Sequence, residues 1–165
     1  MSGIKKVAVI GAGVMGAGIA AHVTNAGIPA VLLDIVPDGA TNRNAVAEGA
    51  VAALLKADPA PFMHKRNAKR ITTGNIEDHM NLIADCDWIV EVVIEKAEIK
   101  RDLYKRIDAA RKPGSIVSSN TSTIPLSTLT EGMDDGLAQD FLITHFFNPP
   151  RYMPLLEIVA GEKTR

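Results

Sequence analysis

A single cysteine, four per cent aromatic residues and a net charge of -1 over 165 residues exclude several functions before any motif is read. Cys86 alone can form neither an internal disulfide nor a cysteine-rich zinc site, and it reads as a small buried hydrophobe in a reducing compartment. Balanced charge gives no general attraction to a polyanion, so nucleic acid is not an expected partner and any bound anion must be held by local groups. No apolar run approaches the ~20 residues of a membrane helix. Met1 to Lys6 leads directly into a strand-like run without the apolar stretch of a signal peptide, so the expectations are no membrane span and a cytoplasmic location. His64 and His79 stand without neighbours at ligand spacing, and no metal site is expected.

What is present is apolar and orderly. Forty-seven per cent of the residues are hydrophobic, enough for one domain over residues 1–165 with a real core. Strand-length apolar runs alternate with helix-length segments, the pattern of a mainly parallel, doubly wound α/β sheet with helices on both faces. Val7-Ala8-Val9-Ile10 reads as a strand buried on both faces, followed by a helix from Val14 to Asn25 with Gly27 as its stop. Ala30 to Leu33 is a second strand, and a long helix is expected from about Asp38 to Lys56, ended by Asp58-Pro59-Ala60-Pro61. A basic excursion, Met63 to Arg70, precedes a short strand at Ile71-Thr72. Trp88 to Ile94 is a strand, Ala97 to Arg111 a helix with Ile99, Leu103 and Ile107 at helical spacing, and Ser115 to Ser119 a strand. Phe141 to Phe147 and Leu155 to Val159 are the last two. There is no repeat and no linker.

Gly11-Ala12-Gly13-Val14-Met15-Gly16 fits G-x-G-x-x-G between a buried strand and a helix, which is the context a dinucleotide fingerprint requires. The first glycine permits the tight turn, the second lets the backbone approach a pyrophosphate, and the third lets helix and strand lie close. Free N–H groups at the helix start face the phosphates. Asp34 ends the second strand, where a carboxylate accepts hydrogen bonds from an adenosine ribose and repels a 2'-phosphate, favouring NAD over NADP.

Ligands of such a sheet sit beyond the carboxyl ends of the strands, which gives weight to the polar residues there. They are Glu91 and Glu95, the run Ser118 to Thr123, and His145 with Asn148. Glu157 lies on the last strand, and turn-like Asn148-Pro149-Pro150-Arg151 would fold it back toward His145. A carboxylate on one imidazole nitrogen fixes the tautomer while the other nitrogen takes a substrate proton, as alcohol oxidation needs. By spacing alone, both remain equally readable as hydrogen-bonded polar residues without a chemical role.

The blocks Gly11 to Ala20, Glu91-Val92-Val93-Ile94-Glu95 with Lys100, Ser119-Asn120-Thr121-Ser122, and His145-Phe146-Phe147-Asn148-Pro149 occur in the order found in L-3-hydroxyacyl-CoA dehydrogenases, and over nearly its whole length the chain resembles their N-terminal domain. Within the family it looks most similar to bacterial fatty-acid β-oxidation proteins, in some of which an enoyl-CoA hydratase module follows. The resemblance implies a Rossmann-type NAD-binding domain and oxidation of (S)-3-hydroxyacyl-CoA to 3-oxoacyl-CoA. It implies His145 as general acid/base, Glu157 as its orienting partner, and Ser122 at the substrate oxygen or the nicotinamide. Gly11, Gly13, Val14, Met15, Gly16, Asp34, Glu95, Lys100, Asn120, Ser122 and Asn148 would form the cofactor site. The family's mostly helical second domain closes over acyl-CoA and forms the dimer interface. No counterpart stands in these 165 residues, so a cofactor domain is expected, from a homodimer or a β-oxidation complex.

Some positions keep a plainer reading. Glu95 and Lys100 could be a helix-capping or surface ion pair, and Ser122 a helix cap. Lys56, Lys65 and Arg66 would either meet CoA phosphates or form a solvated charge run. Where family members often carry glutamine after the first helix's Gly-Ile-Ala, Ala21 and His22 follow here, and His22 is read as packed or solvated rather than catalytic. Other readings are a different NAD-dependent 3-hydroxyacid dehydrogenase, or a non-enzymatic NAD-binding protein on the same fold. Asp34 makes a direct prediction: in fluorescence titrations the chain binds NADH more tightly than NADPH, and equal affinities would refute the role given to this carboxylate.

Overall fold

The computed structural model describes residues 3–165; residues 1 and 2, part of the stretch read as lacking a signal peptide, lie outside them. Seven strands form one sheet in the order β3-β2-β1-β4-β5-β6-β7. They are β1 (Val7–Ile10), β2 (Ala30–Asp34), β3 (Ile71–Asn75), β4 (Trp88–Glu91), β5 (Ile116–Ser119), β6 (Phe141–Phe146) and β7 (Leu156–Ala160). All neighbouring pairs are parallel except β6 and β7, which are antiparallel. This is the expected doubly wound, Rossmann-type architecture, with its topological switch between β1 and β4.

Strand alternation divides the core. Val7, Val9, Leu32 and Val90 face helix α1 (Val14–Asn25) and Ala47 of α2 (Ala45–Leu54). Ala8, Ile10, Val31, Leu33, Ile89, Val117 and Phe141 face the other way, against Leu103, Tyr104 and Ile107 of α3 (Ala97–Ala110). Each fully buried aliphatic side chain here contributes roughly 1.5–3 kcal/mol relative to an exposed one. Cys86 is wholly buried in the second layer, and burial pushes its thiol up to about 11, so it is the inert hydrophobe expected. Among the described residues, no helix is long and apolar enough to cross a membrane.

The differences from expectation are local and have local causes. The second helix spans only Ala45–Leu54, not Asp38 to Lys56. Gly39 adopts φ +67° in a turn closed by Ala40 N–H to the Pro37 carbonyl, and the Asn42 side chain accepts from the Asn44 N–H, which competes with helix formation. Part of the basic excursion, Lys65–Arg70, forms a 3₁₀ segment, and β3 continues to Asn75. β4 stops at Glu91, not Ile94, because the Glu91 carboxylate accepts the Val93 N–H and bends the chain away from the sheet. Two short helices, α4 (Leu126–Leu129) and α5 (Asp135–Asp140), occupy a stretch assigned no element; each is too brief to show periodicity.

The β1-to-α1 turn is sterically fixed. Gly11 has φ +109°, and a Cβ there would lie 2.4 Å from the Val92 carbonyl oxygen. A Cβ on Gly16 would lie 1.8 Å from the Gly11 carbonyl oxygen, whereas one on Gly13 would meet nothing within 4 Å. Gly16→Ala should therefore destabilise the fold by ~2 kcal/mol or more, and Gly13→Ala by less than ~1 kcal/mol. Urea unfolding midpoints check this, and equal effects would contradict the close helix–strand approach.

Candidate active site

Helix α1 begins with Gly13 as N-cap, without a side-chain cap and without an acidic residue in its first turn. The first intrahelical N–H is that of Ala17, to the Gly13 carbonyl, so the amides ahead of it point free into the space left open above Gly13. A glycine with room for an approaching group, below uncapped amides at the positive end of a helix, fits a dinucleotide pyrophosphate. Asp34, at the end of β2, accepts the Ala12 N–H on one oxygen and the Ile35 N–H, at 2.6 Å, on the other. Both oxygens keep lone pairs for ribose hydroxyls.

Across the switch point lies a buried charge cluster. The Glu91 side chain is fully buried, and so, to 1%, is Lys100. Lys100 Nζ lies 2.7 Å from Glu91 Oε1 and 3.4 Å from Glu95 Oε1, and donates to the Val93 carbonyl at 3.3 Å. Its three N–H bonds are thus taken. Glu91 Oε2 accepts Tyr104 Oη–H at 2.7 Å and Ser119 Oγ–H at 2.6 Å. Burial, followed by the Glu91 charge, raises the Tyr104 pKa and keeps its hydroxyl a donor. Thr121 Oγ1 donates to Glu95 Oε2 at 2.5 Å, tying the loop after β4 to the loop after β5.

The antiparallel register opposes His145 directly to Glu157. Directly opposite residues put their side chains on the same face, and His145 Nδ1 lies 2.8 Å from Glu157 Oε2. The imidazole is 20% exposed and the carboxylate 54%. The Phe147 ring stands 4.6 Å from the imidazole between centroids. Asn120 Oδ1 accepts the Phe146 N–H at 2.9 Å, binding the end of β5 to the end of β6.

These pieces converge. Gly13, Val14, Met15, Gly16, Glu95, Asn120, Ser122, His145 and Asn148 line one cleft of about 460 Å³. A smaller cleft of about 240 Å³, walled by Ile124, Leu126, Ile143, Glu157 and Val159, meets the first at Ser122 and His145. The His145 imidazole thus stands where the two clefts meet. Gly11 lies under the loop, and Asp34 lies beside it. Lys100 differs from expectation: it does not line the cleft but is buried beneath it, as an ion pair that is neither superficial nor a helix cap. Of the two readings left open for His22, packed or solvated, the structure shows it partly buried on α1, its pKa lowered by burial and then by the Arg151 charge. Two other depressions, of about 380 and 580 Å³, lie against α3 and near Gly161; neither is lined by a residue of the glycine loop, Glu95, Asn120, Ser122, His145, Asn148 or Glu157. Among the described residues, no three His, Cys, Asp or Glu side chains are grouped as metal ligands. Thr121 and Thr123, within the strand-end run Ser118 to Thr123, both donate to Glu95 Oε2. Sequence reading missed Tyr104 as part of this assembly; the signal available was its position four residues after Lys100, on the same helix face.

Residues 6–165 match the model of the family described as 3-hydroxyacyl-CoA dehydrogenase, NAD binding domain. The chain belongs to this family. NAD is therefore the cofactor of the domain, in keeping with the open glycine loop and Asp34. A Deinococcus radiodurans protein named "Probable 3-hydroxyacyl-CoA dehydrogenase" is 48% identical over 161 residues, covering 98% of this chain and 46% of that protein. A Rickettsia felis protein provisionally named a fatty acid oxidation complex trifunctional enzyme is 47% identical over 162 residues, covering 98% of this chain and 22% of that one. The crystal structure of the Archaeoglobus fulgidus 3-hydroxyacyl-CoA dehydrogenase superposes with a TM-score of 0.75 at 29% identity, over 98% of this chain and 49% of its own. The chain thus spans about half, or about a fifth, of the length of the relatives it matches, some of which are multifunctional.

The buried ion pair carries a prediction. Lys100→Met leaves Glu91 charged and unpaired in the core and should cost ~3–5 kcal/mol, while adding Glu91→Gln should recover part of the loss. Chemical denaturation of the single and double variants checks this; additive losses would mean that the two groups do not act as a pair.

Proposed function

We propose that the protein carrying this domain oxidises (S)-3-hydroxyacyl-CoA to 3-oxoacyl-CoA in fatty-acid β-oxidation, and that this chain supplies the cofactor site and the acid/base half of the active site. The observation that carries the proposal is the contact between His145 Nδ1 and Glu157 Oε2, 2.8 Å long and set by strand register, at the mouth of the cleft shared with the glycine loop. The loop amides and Asp34 hold the dinucleotide. When bound, NAD+ supplies the acceptor for the hydride from the substrate's C3.

His145 removes the 3-hydroxyl proton through Nε2, since Nδ1 is engaged by Glu157. The carboxylate keeps the proton on Nδ1, leaves Nε2 basic, and stabilises the imidazolium as it forms. Ser122, at the junction of the two clefts, donates to the substrate oxygen or to the nicotinamide side of the cofactor. Glu95, held by Thr121 and Lys100, together with Asn120 and Asn148, shapes the cleft walls. Lys100 acts through Glu95 rather than by touching a ligand. The family resemblance further supports a cytoplasmic enzyme that works as a homodimer or within a β-oxidation complex.

In the full-length protein, His145→Gln should lower acetoacetyl-CoA-dependent NADH oxidation by ~10²-fold or more while leaving NADH affinity nearly intact. Absence of turnover in the unmutated full-length protein would favour a binding role instead. The 165-residue chain alone is expected to bind NADH but oxidise it poorly with acetoacetyl-CoA, because orientation of the acyl group needs a second domain; full-length-like turnover by the chain would refute that division of labour.

A further inference from the structure

The connection between β6 and β7 covers residues 147–155 and is much longer than the two to five residues of an ordinary hairpin loop. A connection of that length does not by itself hold strand register or locate Asn148, so the turn needs an anchor outside the hairpin. The anchor is the loop over residues 58–63. Arg151 Nη1 donates to the carbonyls of Ala60, at 2.5 Å, and Phe62, at 2.9 Å, and Tyr152 Oη donates to Ala60 at 2.8 Å. The Arg151 guanidinium lies 5.1 Å from the centroid of the Tyr152 ring, which adds a cation–π contact. The carbonyl between them, that of Pro61, accepts the Asn25 side-chain amide at 2.9 Å, and Asn25 Oδ1 accepts the Met63 N–H at 2.8 Å. The strap is thus tied to the end of α1. On its inner side the turn rests on α1 directly: Pro150 is buried, and its Cδ is only 3.1 Å from where a Cβ on Gly18 would stand.

We propose that Arg151 is a positioning residue, which clamps the β6–β7 turn between helix α1 and the 58–63 loop and so holds Asn148 and the His145–Glu157 pair in place. Its relevance to catalysis rests on the reading of His145 as the acid/base. One planar guanidinium can serve two carbonyls at once, which a lysine ammonium reproduces only in part. With the clamp gone, the turn moves off α1, Glu157 drifts from its place opposite His145, and the imidazole reverts to the Nε2-protonated form of a free histidine.

The test is the tautomer of His145 in the 165-residue chain, read from long-range 1H–15N correlations of the ring at a pH where it is neutral. The unmutated chain should be mainly Nδ1-protonated, Arg151→Ala mainly Nε2-protonated, and Arg151→Lys intermediate. Arg111→Ala removes another multidentate arginine, bound to Asp108, Asp140 and the Ser115 carbonyl, and should leave the tautomer unchanged. A merely structural role for Arg151 would lower the melting temperature without moving the tautomer, and that result overturns the proposal. So does an equal shift in Arg111→Ala. If Arg151→Ala does not fold, Tyr152→Phe, which removes only the bond to Ala60, decides: a partial shift supports the clamp, and an unchanged tautomer overturns it. The measurement needs neither cofactor nor substrate, so failure of the unmutated chain to bind NADH would count against the functional reading and not against the clamp.

Discussion

A carboxylate buried without solvent is costly unless every lone pair is met, and Glu91 sits at the centre of this sheet with both oxygens engaged. Its partners come from three directions: Lys100 and Tyr104 from α3, the Val93 amide from the loop after β4, and Ser119 from the end of β5. The parallel switch point leaves strand ends without a helix across them, and this cluster fills the gap with directional bonds where apolar packing would only exclude water. Because Lys100 also reaches Glu95, and Glu95 reaches Thr121, the loops that carry the cleft walls are fixed by the same charge. Rigidity at the bottom of the cleft is thus electrostatic in origin.

The two sides of the cleft are built on different principles. On the β1–α1 side, shape does the positioning: Gly11 and Gly16 let backbone meet backbone, Gly13 leaves open space, and the uncapped start of α1 provides donors without any side chain. On the β6–β7 side, side chains do it. An antiparallel pair sets His145 against Glu157, Asn120 ties β6 to β5, and Arg151 ties the turn to the strap over α1. The first side offers fixed backbone dipoles suited to an anion, while the second offers an imidazole in contact with a carboxylate.

Much of this could be read before folding. β1, α1 and the order of strands and helices follow from uninterrupted apolar runs and a glycine pattern, signals that are strong because both faces of a parallel strand are buried. The end of β4 could not be read: Val92, Val93 and Ile94 continue an apolar run, and only the Glu91 carboxylate capturing the Val93 amide shows why the strand stops. The start of α2 was obscured by the Asp38-to-Asn44 stretch, where Gly39 and Asn42 favour turns that compete with helix. Lys100 was placed in the right neighbourhood and the wrong layer, since spacing along a helix gives its face but not the depth of the partner across it.

The sequence alone determined which residues have chemistry to offer: a dinucleotide loop, an acid at the end of β2, and a histidine and a glutamate twelve positions apart around a proline turn. Local chain stereochemistry and hydrophobic periodicity suffice for that, because each feature is encoded within a few residues of itself. Only the tertiary structure decided that His145 faces Glu157 in register, that Glu91 and not solvent receives Lys100, and that Arg151 reaches back some ninety residues to Ala60 and Phe62. Those are contacts between segments remote in the chain, and their geometry exists only once the sheet and the helices packed on it have fixed the distances.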